Sequence, residues 1–232
     1  ALADFKKKFE AFALQFPKKY YTGHSNQESS GDHIHNSNNC ESCFHCSNLE
    51  NCRYCYYIFN ASNCMDYDIF GGHSEWIYNS LAVGNQCSNN IGCFGVWNAS
   101  SNNIYCFLLG GSSNNFGSCG LKKKQYCILN KQYSKEEYEE LIPKIIEHMK
   151  SEGEWGEFFS KEIMTHGYNQ TIAQEYFPLG QTEAENKGWK WRGEDKSNYQ
   201  IQTYPLPDNI SDIPDSFTQE ILACGECGWN YK

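Results

Sequence analysis

Between about Asn36 and Asn130 the chain alternates polar clusters of Ser, Asn and Gly with short runs of aromatic, aliphatic and cysteine residues. Three units stand almost in register: Ser88-Asn89-Asn90-Ile91-Gly92-Cys93, Ser101-Asn102-Asn103-Ile104-Tyr105-Cys106 and Ser113-Asn114-Asn115-Phe116-Gly117-Ser118-Cys119, their starts 13 and 12 residues apart. Weaker copies begin at Ser37, Ser47 and Ser62, with a degenerate one at Ser74. The runs that follow, such as Phe94-Gly95-Val96-Trp97 and Phe107-Leu108-Leu109-Gly110, read as strands closed by turns. Frequent Gly and Asn break the sustained 3.6-residue period a helix needs. A short fixed period with turn residues at one phase and apolar residues at another predicts stacked coils, because one unit alone cannot bury its face. The expected fold class is mainly β: a β-solenoid, or β-helix, with an N-terminal capping helix and a C-terminal set of short helices and loops. Two units per coil would give coils of about 25 residues, roughly four of them. Asn at equivalent corners would then hydrogen-bond across coils about 4.8 Å apart.

The same patterning divides the chain. Residues 1–20 form an N-terminal capping helix in which Leu2, Phe5, Phe9, Phe12 and Phe16 share a stripe that Pro17 ends. An exposed Phe stripe is a liability, so it is expected to cover the open first coil, with membrane or partner docking as the alternative. Residues 21–36 are a polar linker or first coil, 37–130 the Cys/Asn-rich solenoid, and 131–150 a helix packed on the solenoid. That helix opens with a Ser134-Lys135-Glu136-Glu137 capping box, and Pro143 should kink or restart it near Ile142. Residues 151–223 hold short helices and Pro-rich linkers, and 224–232 begin a zinc-ribbon-like segment.

Composition narrows the function classes. Aromatic residues make up 16% of the chain, enough with the aliphatics to build a core, and no apolar run approaches the roughly 18 residues of a membrane span. The formal charge of −9 weighs against a general nucleic-acid surface. Lys6-Lys7-Lys8 and Lys122-Lys123-Lys124 are local exceptions, read as solvated faces. Ala1 is not a natural start, so the chain is expected to be a processed or trimmed product.

The 13 cysteines are the main candidate chemistry. Cys40, Cys43, Cys46, Cys52 and Cys55 have C-x2-C spacings that suit core packing by small apolar side chains, a zinc or iron–sulfur cradle, or disulfides. Cys64, Cys87, Cys93, Cys106 and Cys119 recur in the repeat phase without near partners, which favours an interior column of thiols for all of them. So many unpaired thiols slightly favour the reducing cytoplasm. Cys224-Gly225-Glu226-Cys227-Gly228 is a zinc-knuckle half, two thiolates on one tight turn, so Cys224 and Cys227 are the candidate metal ligands and zinc the candidate cofactor. Distant residues or a longer natural chain would complete the site. His33 and His35 share one face of an extended Asp32-His33-Ile34-His35 segment, either as a surface pair or as two metal ligands. Asp66 and Asp68 alternate on a strand as an acid pair can, or else lie on a solvated face. Gly188-Trp189-Lys190-Trp191-Arg192 interleaves rings and cations, suited to packing or to stacking on bases.

The string Lys124-Gln125-Tyr126-Cys127-Ile128-Leu129-Asn130-Lys131-Gln132-Tyr133-Ser134-Lys135-Glu136-Glu137-Tyr138 resembles a family of Cys/Asn-rich repeat proteins with flanking zinc-ribbon segments from uncultured small-genome bacteria. Further points of resemblance are Ala173-Gln174-Glu175-Tyr176-Phe177-Pro178-Leu179, Gly188-Trp189-Lys190-Trp191 and the tail from Ile213-Pro214-Asp215-Ser216 to Cys227. The resemblance implies that Cys224 and Cys227 belong to a C-terminal ribbon with further ligands beyond Lys232, and that an N-terminal ribbon precedes Ala1. It carries no reaction with it. The function expected is a non-catalytic structural or interaction scaffold that engages a protein partner or its own copies along the solenoid. The alternatives are a carbohydrate-active β-helix enzyme using Asp66 and Asp68, or a zinc-dependent nucleic-acid binder.

Overall fold

The computed structural model describes residues 2–193, 200–225 and 228–231. It comprises two compact units, Ala1–Ser160 and Lys161–Lys232. In the first unit the governing feature is a backbone turn at every third residue. From Asn36 to Asn63 each third residue is left-handed, with φ between 49° and 58°. The residue after each turn points inward: Cys40, Cys43, Cys46, Leu49, Cys52, Cys55, Ile58, Ala61 and Cys64 are all 5% exposed or less. Each triplet therefore supplies one inward, one outward and one corner residue, and four triplets close a coil. Asn tolerates the left-handed region best of the residues with side chains, which explains its recurrence at Asn36, Asn39, Asn48, Asn51, Asn60 and Asn63.

The stacked strands show how long a coil is. After helix α1 (Leu2–Ala13) come β1 (Gly23–His24), β2 (Gln27–His35), β3 (Asn38–Glu50), β4 (Arg53–Ser62) and β5 (Met65–Leu81). They are followed by β6 (Ser88–Ile91), β7 (Phe94–Trp97), β8 (Ser101–Ile104), β9 (Phe107–Gly110), β10 (Ser113–Phe116), β11 (Gln125–Ile128) and β12 (Lys131–Gln132). All pair in parallel except β11 with β12. Glu41 lies over Arg53, Glu75 over Ser88 and Ser101 over Ser113, offsets of 12, 13 and 12 residues. One repeat unit is thus a whole coil, not half of one, and the solenoid has about nine turns rather than four. The extra residue of the longer coils sits in a double left-handed corner, at Ile69-Phe70, Asn85-Gln86 and Asn98-Ala99.

Inward residues stack in four columns. One runs Cys40, Cys52, Cys64, Ile77, Asn90, Asn103, Asn115 and Cys127, all buried. Its asparagines form an internal ladder: Asn103 Nδ2 donates to Asn90 Oδ1 at 3.0 Å and Asn115 Nδ2 to Asn103 Oδ1 at 2.9 Å. The expected corner ladders form as well, with Asn39 donating to Asn51, Asn51 to Asn63 and Asn48 to Asn60. The thiols occupy several columns rather than one, and Cys119 breaks the pattern. It is exposed, and Ser118 takes the interior place at 1% exposure.

Helix α2 (Lys135–Glu152) is capped as the sequence foretells, Glu137 N–H donating to Ser134 Oγ at 3.2 Å and Ser134 N–H to Glu137 Oε2 at 2.9 Å. It runs unbroken through Pro143. Its Tyr138, Leu141, Ile142, Ile145 and Met149 pack with Ile104, Phe116 and Ile128, outward residues of the solenoid flank. Tyr105 fastens the next segment by accepting a bond from Gly156 N–H at 2.8 Å. Helix α1 differs from expectation in its packing. None of its residues is buried, and Leu2 and Phe5 are 83% and 66% exposed, so its Phe stripe does not seal the first coil. The second unit holds α3 (Ala173–Tyr176), α4 (Gln181–Asn186), short 3-10 turns and an antiparallel pair of β13 (Leu222–Ala223) and β14 (Asn230–Tyr231).

Candidate functional site

A three-residue period changes which neighbours share a surface. Asp66 is a left-handed corner with φ 51°, Tyr67 points inward at 0% exposure, and Asp68 points outward on the next wall. The two carboxylates do not lie on one strand face as two-residue alternation would place them. They nevertheless line one cleft of about 300 Å³ with Tyr54, Asn79, Leu81 and Phe158. Asn79 helps to build it by donating to Gly156 O at 3.1 Å, which draws the segment bearing Phe158 against the wall. Burial first, and the charge of Asp66 second, raise the pKa of Asp68. The cleft can therefore present one carboxyl that holds its proton more readily than usual.

His33 and His35 are parted by the same period. Ile34 points inward between them, His33 stacks on His45 at 4.6 Å, and His35 packs against His24 at 4.5 Å. They belong to two different stacks, His33 at a corner and His35 on a wall, rather than to one ion. Beside them the Asp32 carboxylate accepts from Thr22 N–H at 2.7 Å and from His33 N–H at 2.8 Å, which lowers its pKa.

Beneath these histidines lies the thiol cluster. Strand register sets Cys40 on Cys52 and Cys43 on Cys55, all four at 3% exposure or less. Each thiol donates to the backbone carbonyl two residues before it, Cys40 to Asn38 O at 3.2 Å, Cys52 to Glu50 O at 3.3 Å, Cys55 to Arg53 O at 3.3 Å and Cys64 to Ser62 O at 3.2 Å. The neighbouring thiols first, then burial, push the Cys40, Cys55 and Cys64 thiols up. The same thiol neighbours pull the Cys43 and Cys52 thiols down. Among the described residues no group of three or more His, Cys, Asp or Glu forms a ready-made metal cage.

In the second unit Cys224 sits at the mouth of the β13–β14 pair. Its N–H donates to Trp229 O at 2.8 Å and its carbonyl accepts from Gly228 N–H at 2.9 Å. Cys227 lies outside the described residues. The Trp189 to Arg192 segment is held down rather than free. Tyr168 N–H donates to Lys190 O at 2.7 Å, Lys190 Nζ donates to Glu162 O and Met164 O at 2.8 and 2.6 Å, and Trp189 packs on Tyr168 at 5.8 Å.

One surface of the solenoid was not singled out from the sequence. The wall between the Cys43 and Cys46 columns carries Phe44 and Tyr56 in register, with Tyr57, Phe70 and Leu108 along its corner, each between 42% and 59% exposed. Asp68 and Leu81 hold the next two places on the wall and Phe94 and Phe107 the two after, the two rings 5.1 Å apart. Folding a three-residue period onto the repeat finds this wall; the 25-residue coil hides it. Among the described residues no helix is long and apolar enough to cross a membrane. No protein-family model matches the chain, and no curated protein matches it.

Proposed function

We propose that the chain is a non-catalytic scaffold that uses the aromatic wall of its solenoid to dock a protein surface, in the first instance a second copy of itself. The observation that carries this is the set of exposed apolar side chains on one wall and its corner, Phe44, Tyr56, Tyr57, Phe70 and Leu108, interrupted by Asp68, on a stiff, evenly spaced support. Exposed apolar side chains gathered on one face mark a contact surface, and stacked coils suit an extended partner or assembly between copies. The finer element of the proposal is a zinc clip at Cys224 and Cys227, completed by ligands elsewhere. Sedimentation velocity over a wide concentration range tests the assembly: wild type should associate and the Phe70→Ser, Leu108→Ser variant should not. A protein that stays monomeric at every concentration removes self-assembly from the proposal. Zinc content that is unchanged by Cys224→Ser removes the clip.

The Asp66–Asp68 cleft favours a second function, hydrolysis of a carbohydrate. Asp68, with its raised pKa, would act as the proton donor and Asp66 as its charged partner. Turnover of a polysaccharide panel by wild type, abolished by Asp68→Asn, is the expected result. Wild type that cleaves none of them ends this alternative.

A further inference from the structure

Helix α1 is an amphipathic element that the fold leaves uncovered, with none of its residues buried. At 3.6 residues per turn Leu2, Phe5, Phe9 and Phe12 fall within a stripe about 80° wide. Phe16 in the following turn prolongs it, its ring 4.9 Å from that of Phe12. All five side chains are more than half exposed.

The cations of this segment are placed to match the stripe. Lys6 and Lys8 stand on either side of it and Lys7 on the opposite face. Lys18 and Lys19 follow just past Pro17, with Tyr20 and Tyr21 behind them. Residues 1–19 thus set five lysines against Asp4 and Glu10, a net charge of +3 in a chain whose formal charge is −9. Lys8 pairs with Asp4 at 3.2 Å, but both side chains are at least 70% exposed, so another anion displaces that contact at little cost. A seam with the same helix of a second copy would need three or four heptads, and α1 has 12 residues. Rings flanked on both sides by long cationic side chains instead suit a surface that is apolar within and anionic at its rim.

We propose that α1 lies flat on an anionic lipid bilayer and holds the solenoid at that surface. The Phe stripe enters the boundary between acyl chains and headgroups. Lys6 and Lys8 keep their stems along the apolar edge and reach up to the lipid anions, and Lys18, Lys19 and Tyr20 meet the headgroups beyond Pro17. A helix of this length extends about 18 Å, short of the roughly 30 Å hydrocarbon core, so the mode is surface binding and not a span. Each Lys near an anionic leaflet is worth about fivefold in affinity, which directs the chain to anionic rather than neutral lipid. This proposal is independent of the docking wall.

The test is flotation of the full chain with vesicles of phosphatidylcholine alone or mixed with phosphatidylserine. Wild type should float with the mixed vesicles at low salt, lose the association as salt rises, and stay behind with phosphatidylcholine alone. Phe5→Ser, Phe9→Ser and Phe12→Ser together should abolish binding. Lys6→Gln, Lys7→Gln and Lys8→Gln together should weaken it about a hundredfold, whereas the same change at Lys122, Lys123 and Lys124 should leave it intact. Amide hydrogen exchange on vesicle-bound wild type needs no variant, and protection should rise over α1 and not over β3 to β5. Wild type that ignores the anionic vesicles overturns the proposal, as does flotation retained by the triple-Phe variant or protection gained on the solenoid alone. Self-association in lipid-free buffer that vanishes with the three Phe would assign the stripe to a second copy, and overturns it equally.

Discussion

Replacing Asn103 by Leu would remove three buried side-chain hydrogen bonds, those to Asn90 Oδ1 and Ser112 O and the one accepted from Asn115 Nδ2. Asn90 Oδ1 keeps the Asn103 backbone N–H and Asn115 Nδ2 keeps Lys124 O, so at about 1 kcal/mol per lost bond Asn103→Leu should lower stability by about 3 kcal/mol in a denaturant titration, despite the added hydrophobicity. Gly71 makes a sharper case. A Cβ there would meet the Tyr67 ring at 2.5–2.7 Å, so Gly71→Ala should destabilise, and Tyr67→Val should relieve that loss in a double-mutant cycle. Asp68 sets a pH signature. Its folded pKa is raised, so its contribution is fully present below the unfolded carboxyl pKa and is lost as pH rises through the folded value. Asp68→Asn should therefore be the more stable protein at pH 7, with the difference vanishing in acid. The inward Cys were legible in the sequence as a repeated phase, whereas the inward Asn90, Asn103 and Asn115 were not, because Asn was expected at the corners. The pairing of Tyr67 with a glycine was not, because it spans a corner whose length follows from the three-residue turn.

At the scale of elements, the capping box of α2 was readable because its signal is local: Ser134 and Glu137 are three residues apart and need nothing beyond the helix itself. Ser134→Ala should cost about 1 kcal/mol. The docking of α2 was readable from its apolar stripe. Continuity through Pro143 was not, since the solenoid flank and not intrinsic preference holds that turn against Ile104, Phe116 and Ile128. The coil length was misjudged for a related reason. Strand propensity expects two-residue alternation, whereas here non-glycine corners such as His45, Tyr54 and Tyr57 adopt a left-handed backbone that disfavours them by about 1–2 kcal/mol each. Only closure of the coil and stacking between coils offset that cost, and neither is visible within one unit. The same error misplaced His33 and His35 on one face and Asp66 and Asp68 on one strand side.

For the whole molecule, the account rests on a narrow prism whose lumen is filled by thiols, amides and aliphatics, and whose outward columns form four distinct walls. The register follows from the chain as a set of named inward and outward residues. Ten cysteines, from Cys40 to Cys127, are buried in it, while Cys119 faces outward beside the inward Ser118. Alkylation of the reduced, metal-free protein under native conditions, mapped by mass spectrometry, tests this directly. Cys119 should react at once, and Cys40, Cys43, Cys52, Cys55, Cys93 and Cys106 only after unfolding. Rapid native labelling of those six, or protection of Cys119 alongside them, would contradict the three-residue coil.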